Sequence, residues 1–232
     1  DQFYRSTDGG NFFTSSNNGS LMNLPASINR MEIAVCPSSP NVVYAVCGKE
    51  SDASFYGLYQ SIDAGQNWTL QSTSPNILSG DINGAATGGQ SWYDLAIAVD
   101  PLNANTVFVG GVNVWRSTNG GQNWSIVSHW VINNNAGYTH ADIHALDFYN
   151  NELYCGSDGG IFKSRNLGNA WQDLSAGLEI TQFYRMSQTE QSDTILLGGA
   201  QDNGSLLKTD SATWAHVYGG DGMDNAIDPV DP

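Results

Sequence analysis

Two histidines and a carboxylate stand at alternate positions in one short stretch: His140, Asp142 and His144. In extended chain, residues two apart share a face, so the three side chains would project together. Imidazole and carboxylate at that spacing could ligate a metal ion or form a proton-transfer cluster. The same residues could instead form a polar lead-in to a strand, bonded to neighbouring loops. Three further acids, Asp158, Asp202 and Asp221, each sit in a Gly-rich segment with Gly159, Gly204 and Gly222 close by. With Asp142 they are the candidate catalytic carboxyls, because glycosidic bond cleavage needs two such groups across a cleft. Asp beside Gly is also ordinary turn chemistry, which leaves both readings standing.

Candidate ligand-binding residues surround these acids. Gln201 and Asn203 flank Asp202, and Trp92 and Tyr138 offer flat rings. Tyr56, Tyr93, Trp130 and Tyr184 fall in comparable segments. Sugar rings stack on aromatic faces while carboxylates bond their hydroxyls. The competing role for each ring is sealing gaps between sheets. Carboxylates and carbonyls could also hold calcium, although no contiguous calcium-loop pattern occurs.

Composition narrows the partners. The chain has 232 residues, a net charge of −15 and eight Lys and Arg. Counterion release needs clustered basic groups, so nucleic acid is a poor partner. No apolar run is long enough to span a bilayer as a helix, and no membrane insertion is expected. With 26 Gly and no long amphipathic pattern, the composition favours many strands and tight turns. Cys36, Cys47 and Cys155 are too few for a disulfide framework. A Cys36–Cys47 bridge between adjacent strands stays open.

The elements that must position these residues are visible as a repeat. It reads Ser-x-Asp/Asn-x-Gly-x-x-aromatic. The copies run from Ser6 through Asp8 to Phe13, Ser61 through Asp63 to Trp68, Ser117 through Asn119 to Trp124, and Ser164 through Asn166 to Trp171. A shortened copy is Thr209-Asp210 with Trp214. The spacing, about 43 to 56 residues, matches one four-stranded blade of a β-propeller. The Asx side chain can bond backbone N–H groups of its own turn, and Gly supplies a conformation closed to other residues. Upstream of each copy lie two apolar runs joined by a polar turn, as in Leu95–Val99 and Thr106–Val109. The expected fold is therefore all-β, a propeller of four-stranded antiparallel blades with the repeat between strands c and d. One domain covers 1–232, with a partial blade at 1–16 and full blades at about 29–73, 92–129, 141–175 and 181–218. A partial blade at 221–232 opens with a strand at Met223–Ile227. A propeller closes as a ring, so the chain reads as part of a larger polypeptide or assembly.

These repeats resemble the Asp boxes of BNR-type propellers, as in sialidase-like, sortilin/Vps10-like and xyloglucanase-like proteins. Segments such as His140–Leu146, Gly156–Ile161, Gln182–Tyr184, Gln201–Gly204 and Gly219–Gly222 resemble a set in large secreted bacterial proteins. That resemblance implies the fold and an extracytoplasmic location, secreted or on the cell surface. Blade topology puts the a–b turns and the repeats on one face and the remaining loops on the other. The carboxylates and aromatics fall on the second. A recognition or adhesion propeller for glycan or protein needs only such a face. The alternative is a glycoside hydrolase of the xyloglucanase-like type using paired Asp carboxylates. A sialidase is disfavoured: it needs three arginines on the substrate carboxylate, and Arg5, Arg116 and Arg165 belong to the repeat face, leaving Arg30 and Arg185.

Overall fold

The computed structural model describes residues 3–15, 28–133, 135–178, 180–189, 191–192, 194–209 and 213–228. Among these residues there are strands, turns and loops but no helix. The chain forms two compact units, residues 1–174 and 175–232.

The described residues of the first unit form four sheets in chain order. A short hairpin pairs β1 (Tyr4–Arg5) with β2 (Thr14–Ser15). A four-stranded antiparallel sheet follows, made of β3 (Ile28–Cys36), β4 (Ser39–Lys49), β5 (Phe55–Ser61) and β6 (Thr69–Ser72). The next contains β7 (Ala96–Val99), β8 (Val107–Gly110), β9 (Val114–Ser117) and β10 (Ser125–His129). To its edge β11 (Gly137–Tyr138) adds in parallel, Ser128 opposite Gly137. The fourth is antiparallel: β12 (Ile143–Tyr149), β13 (Glu152–Ser157), β14 (Gly160–Ser164) and β15 (Gln172–Asp173). The described residues of the second unit form one four-stranded antiparallel sheet, β16 (Phe183–Gln188), β17 (Leu196–Ala200), β18 (Ser205–Lys208) and β19 (Ala215–Tyr218). Met223–Ile227, read from the sequence as a strand, has no ladder. Met223 lies at φ 34°, off the extended region, and Asn225 instead bonds Ser187 Oγ and Arg185 O.

Sheets of the first unit stack face on face, so their inner strands are apolar on both sides. On β7, Ile97 and Val99 join a core with Tyr44, Val46 and Leu58 of the preceding sheet. Ala96 and Ala98, on its other face, join Ile143, Leu146 and Leu153 of the following one. On β4 the same alternation sends Tyr44 and Val46 one way and Val43, Ala45 and Cys47 the other. This separates the two cysteines. Cys36 packs in the first core and Cys47 in the opposite one, so no bridge forms, and all three cysteines are buried thiols.

The repeat builds the same turn four times. In the second copy Ser61 Oγ donates to Asp63 Oδ1 (2.7 Å) and accepts from Gly65 N–H (2.8 Å), while Asn67 N–H donates to Asp63 Oδ1 (2.8 Å). Ser117 with Asn119, Ser164 with Asn166 and Ser6 with Asp8 repeat this pattern. In the second copy the acceptor role holds the Asp63 carboxyl down to about 2, mainly through Asn67. The shortened copy at Asp210 lies outside the described residues. The turn glycines Gly65, Gly121 and Gly168 have φ of 84°, 88° and 85°. Each is also covered by a side chain of the preceding sheet or hairpin: Phe3, Leu58 and Val127 would clash with an added Cβ.

The repeat aromatics differ in burial. Trp68 is 5% exposed and packs edge-on against Phe3, Trp124 and Trp171 are half-buried, and Phe13 is 62% exposed. Trp68→Ala should therefore destabilise the chain by about 3–5 kcal/mol in chemical denaturation, whereas Phe13→Ala should stay within about 0.5 kcal/mol. Equal effects would contradict this packing.

Candidate functional site

Three loops of the first unit meet at the strand ends remote from the repeat turns. One is the long segment before β7, which ends in Gln90-Ser91-Trp92-Tyr93-Asp94. It is held internally: Asn76 Nδ2 donates to Ala86 O and Gly88 O, while Asn76 Oδ1 accepts from Phe55 N–H. Its last residues wrap in one turn, with Tyr93 N–H and Asp94 N–H donating to Gln90 O at 2.7 and 3.1 Å. The second is His140–Asp142, leading into β12. The third is the β13–β14 turn at Asp158-Gly159. Ile143 pairs with Ser157 across the ladder, so Asp142 and Asp158 leave it side by side, and Asp158 N–H donates to Asp142 O at 3.3 Å.

Their side chains form one network. Gln90 Nε2 donates to Asp94 Oδ2 at 3.0 Å and, through a short bond, to Asp142 Oδ1. Asp158 accepts from Tyr93 OH at 2.7 Å and pairs with His144 Nε2 at 2.7 Å. The His144 ring meets the Tyr93 ring edge-on, centroids 4.9 Å apart. Trp92 stands beside Tyr93 and is 67% exposed.

Burial makes these acids unlike. Asp94 is fully buried, and its Oδ1 lacks a hydrogen-bond partner among the described residues. Its pKa is pushed up to about 8, first by loss of solvation and further by the charges of Asp142 and Asp158. The Asp142 carboxyl, half-buried, is also raised, by burial and then by Asp158, against the opposing effects of Gln90, His140 and His144. Asp142 adopts φ 64°, a left-handed backbone uncommon for a residue with a side chain.

The expected one-face alternation of His140, Asp142 and His144 is not kept, although both histidines act on the Asp142 carboxyl. The left-handed backbone at Asp142 and a ladder irregularity between Ile143 and Ala145 break the alternation that would put the three on one face. The His140 ring lies over Gly159, where an added Cβ would meet it at 2.1 Å. Among the described residues no three His, Cys, Asp or Glu side chains are grouped to hold a metal ion. Sequence reasoning missed Gln90 and Asp94. An acid opening the apolar run Leu95–Val99 was the available signal, but Asp before a strand reads as an ordinary turn residue.

Other candidates lie elsewhere. Tyr138 lines a cavity of about 540 Å3 with Trp171 and Asp173, whose walls include none of Asp94, Asp142 and Asp158. Arg30 is engaged internally, donating to Glu32 and to the carbonyls of Tyr93 and Leu95. In the second unit, Asp221 Oδ1 accepts from Asp202 N–H at 3.0 Å, with Asp202 at φ 59°. Gly204 N–H bonds Gly220 O and Gly222 N–H bonds Ala200 O. Asp221 thereby fastens a turn that includes Gln201, Asp202 and Asn203.

No family model matches the chain. A xyloglucanase of Hypocrea jecorina is 31% identical over 105 residues, which are 43% of this chain and 12% of that protein. The chain thus spans a small part of that relative. Among solved structures, the GH74 xyloglucanase of Xanthomonas campestris is 17% identical, with 82% of this chain and 30% of that one covered at a TM-score of 0.46. A GH74 enzyme of Niastella koreensis is 18% identical, covering 80% and 29% at a TM-score of 0.42.

The raised pKa of Asp94 has a signed consequence. Between pH 4 and 8 the folded chain keeps a proton that the unfolded chain releases, so stability falls as pH rises through that window. The slope approaches about 1.4 kcal/mol per pH unit. Asp94→Asn should remove it: the variant should gain on the unaltered protein steadily from pH 4 to 8 in chemical denaturation. Parallel pH profiles for the two proteins would contradict a protonated, buried Asp94.

Proposed function

We propose that the antiparallel sheets are blades of a β-propeller with Asp-box turns, and that its loop side hydrolyses glycosidic bonds in a polysaccharide. The observation that carries the reading is the unequal pair Asp142 and Asp158. Two adjacent carboxyls whose surroundings differ can divide acid and base roles. Asp142, whose pKa is raised by burial and by Asp158, is the group assigned to protonate the leaving glycosidic oxygen. Asp158 accepts bonds from Tyr93 and His144 and acts as the carboxylate, either activating water or attacking the sugar carbon. Trp92 supplies a ring face for an adjacent sugar. The partial likeness to a xyloglucanase supports a β-glucan of the xyloglucan type as substrate. Work on such a polymer requires a location outside the cytoplasm, secreted or at the cell surface. Asp202 and Asp221 are turn-formers in this proposal.

A second reading, recognition or adhesion without cleavage, is favoured by the exposed rings of Trp92 and Tyr93 beside hydrogen-bonding acids. One assay separates the two. The chain is incubated with xyloglucan and other β-glucans while new reducing ends and retained protein are both followed. Hydrolysis should appear, and Asp142→Asn and Asp158→Asn should each lower it by roughly 10²–10⁴-fold with the fold intact by circular dichroism. Activity should fall as pH rises through the Asp142 pKa, since the proton-donating form is then lost. Retention without new reducing ends would replace the hydrolase by a recognition module, and cleavage that survives both substitutions would remove the role of this pair.

A further inference from the structure

Gln90 links an acid that no ligand can touch to one that a ligand can. Its side-chain amide has two N–H groups, so it can serve Asp94 Oδ2 and Asp142 Oδ1 together. Asp94 is fully buried, while Asp142 is half-buried. The backbone around Asp94 is fixed from both sides. Its own N–H returns to Gln90 O, and the Arg30 guanidinium donates to the flanking carbonyls of Tyr93 at 2.9 Å and Leu95 at 3.4 Å. Arg30 is itself held to Glu32 at 3.0 Å. Burying an acid is costly, and one oxygen of Asp94 has no partner among the described residues to offset the cost. The other oxygen bonds the Gln90 amide.

We propose that Asp94 is the positioning residue of the site: it holds one N–H of the Gln90 amide, which fixes the amide plane and aims the other N–H at the Asp142 carboxyl. The inference rests on Asp142 being a working carboxyl of the proposed hydrolase and adds the residue that sets its orientation and its proton affinity. The charged or titratable groups acting on the pair are Asp158, which raises both acids, and His140 and His144, which oppose the rise at Asp142. As a neutral acid Asp94 places no second charge beside Asp142. Once ionised, it would add one.

The test is a titration of the Asp142 carboxyl by carbon-13 nuclear magnetic resonance in the full chain, with no substrate present. Asp94→Leu frees the Gln90 amide, so the hydrogen bond that favours ionised Asp142 is lost. The Asp142 midpoint should rise, on the order of one pH unit. Asp94→Asn keeps a carbonyl oxygen for the amide and should leave the midpoint in place while removing the second inflection as Asp94 ionises. A merely structural role for Asp94 would not give rescue by Asn alone. An unshifted midpoint in the Leu variant, or an equal shift in both, would overturn the proposal. If the Leu variant does not fold, the Gln90 side-chain amide of the unaltered protein decides. Two distinct, exchange-protected amide protons support the proposal, and rapidly exchanging, averaged ones overturn it. Cleavage is measured separately. A chain that cuts no polysaccharide but shows these shifts loses the hydrolase reading and keeps only the control of Asp142 by Asp94 through Gln90. Cleavage with an unshifted midpoint removes this one alone.

Discussion

Three turn glycines join local geometry to sheet packing. Gly65, Gly121 and Gly168 take a backbone conformation that side chains disfavour, and each lies under a side chain from the preceding sheet or hairpin. Any larger residue there would strain the turn and also push the neighbour away. The Ser and Asx side chains then close the turn with three short hydrogen bonds. One constraint thus sets the strand-to-strand connection and the approach of the neighbouring sheet. The two-sided burial of β4 and β7 follows from that stacking, and so do the near-continuous apolar runs that reveal those strands.

With the repeat ends fixed, the opposite strand ends are free to carry irregular chain. The segment before β7 uses that freedom. Asn76 ties it to itself, and Asn113, fully buried, donates to Ser79 O. Gln90 and Asp94 are therefore presented by an ordered loop, not a loose one. Asp142 and Asp158 come from the two strands of one hairpin, which fixes them next to each other. The left-handed backbone at Asp142 is a local cost of the kind often found where a side chain must point in one direction.

Strands and repeat turns were legible because their signals are local. Ser, Asx, Gly and an aromatic at fixed spacing specify a turn, and the apolar runs before it specify strands. The parallel strand β11 was not legible, since nothing in Gly137-Tyr138 announces a partner at Ser128. The grouping of Asp142, His144 and Asp158 followed from topology, but their bonding did not. The extended geometry is interrupted at Asp142, where a left-handed backbone and the ladder irregularity that follows break the alternation. Asp221 could be read as ligand or turn from sequence, and its bond from Asp202 N–H depends on a contact that spacing does not specify. Gln90 and Asp94 escaped notice because their meaning depends on burial and on a contact with Asp142, fifty-two residues from Gln90 in the chain.

In the proposed hydrolase the Asp142 and Asp158 carboxyls face a glycosidic bond. A crystal structure of the Asp158→Asn protein with a xyloglucan oligosaccharide tests it directly. The predicted result is a sugar ring against Trp92 and a glycosidic oxygen within about 2.6–3.2 Å of the Asp142 carboxyl. An oligosaccharide bound without contact to either position, or none bound at saturating concentration, would contradict it.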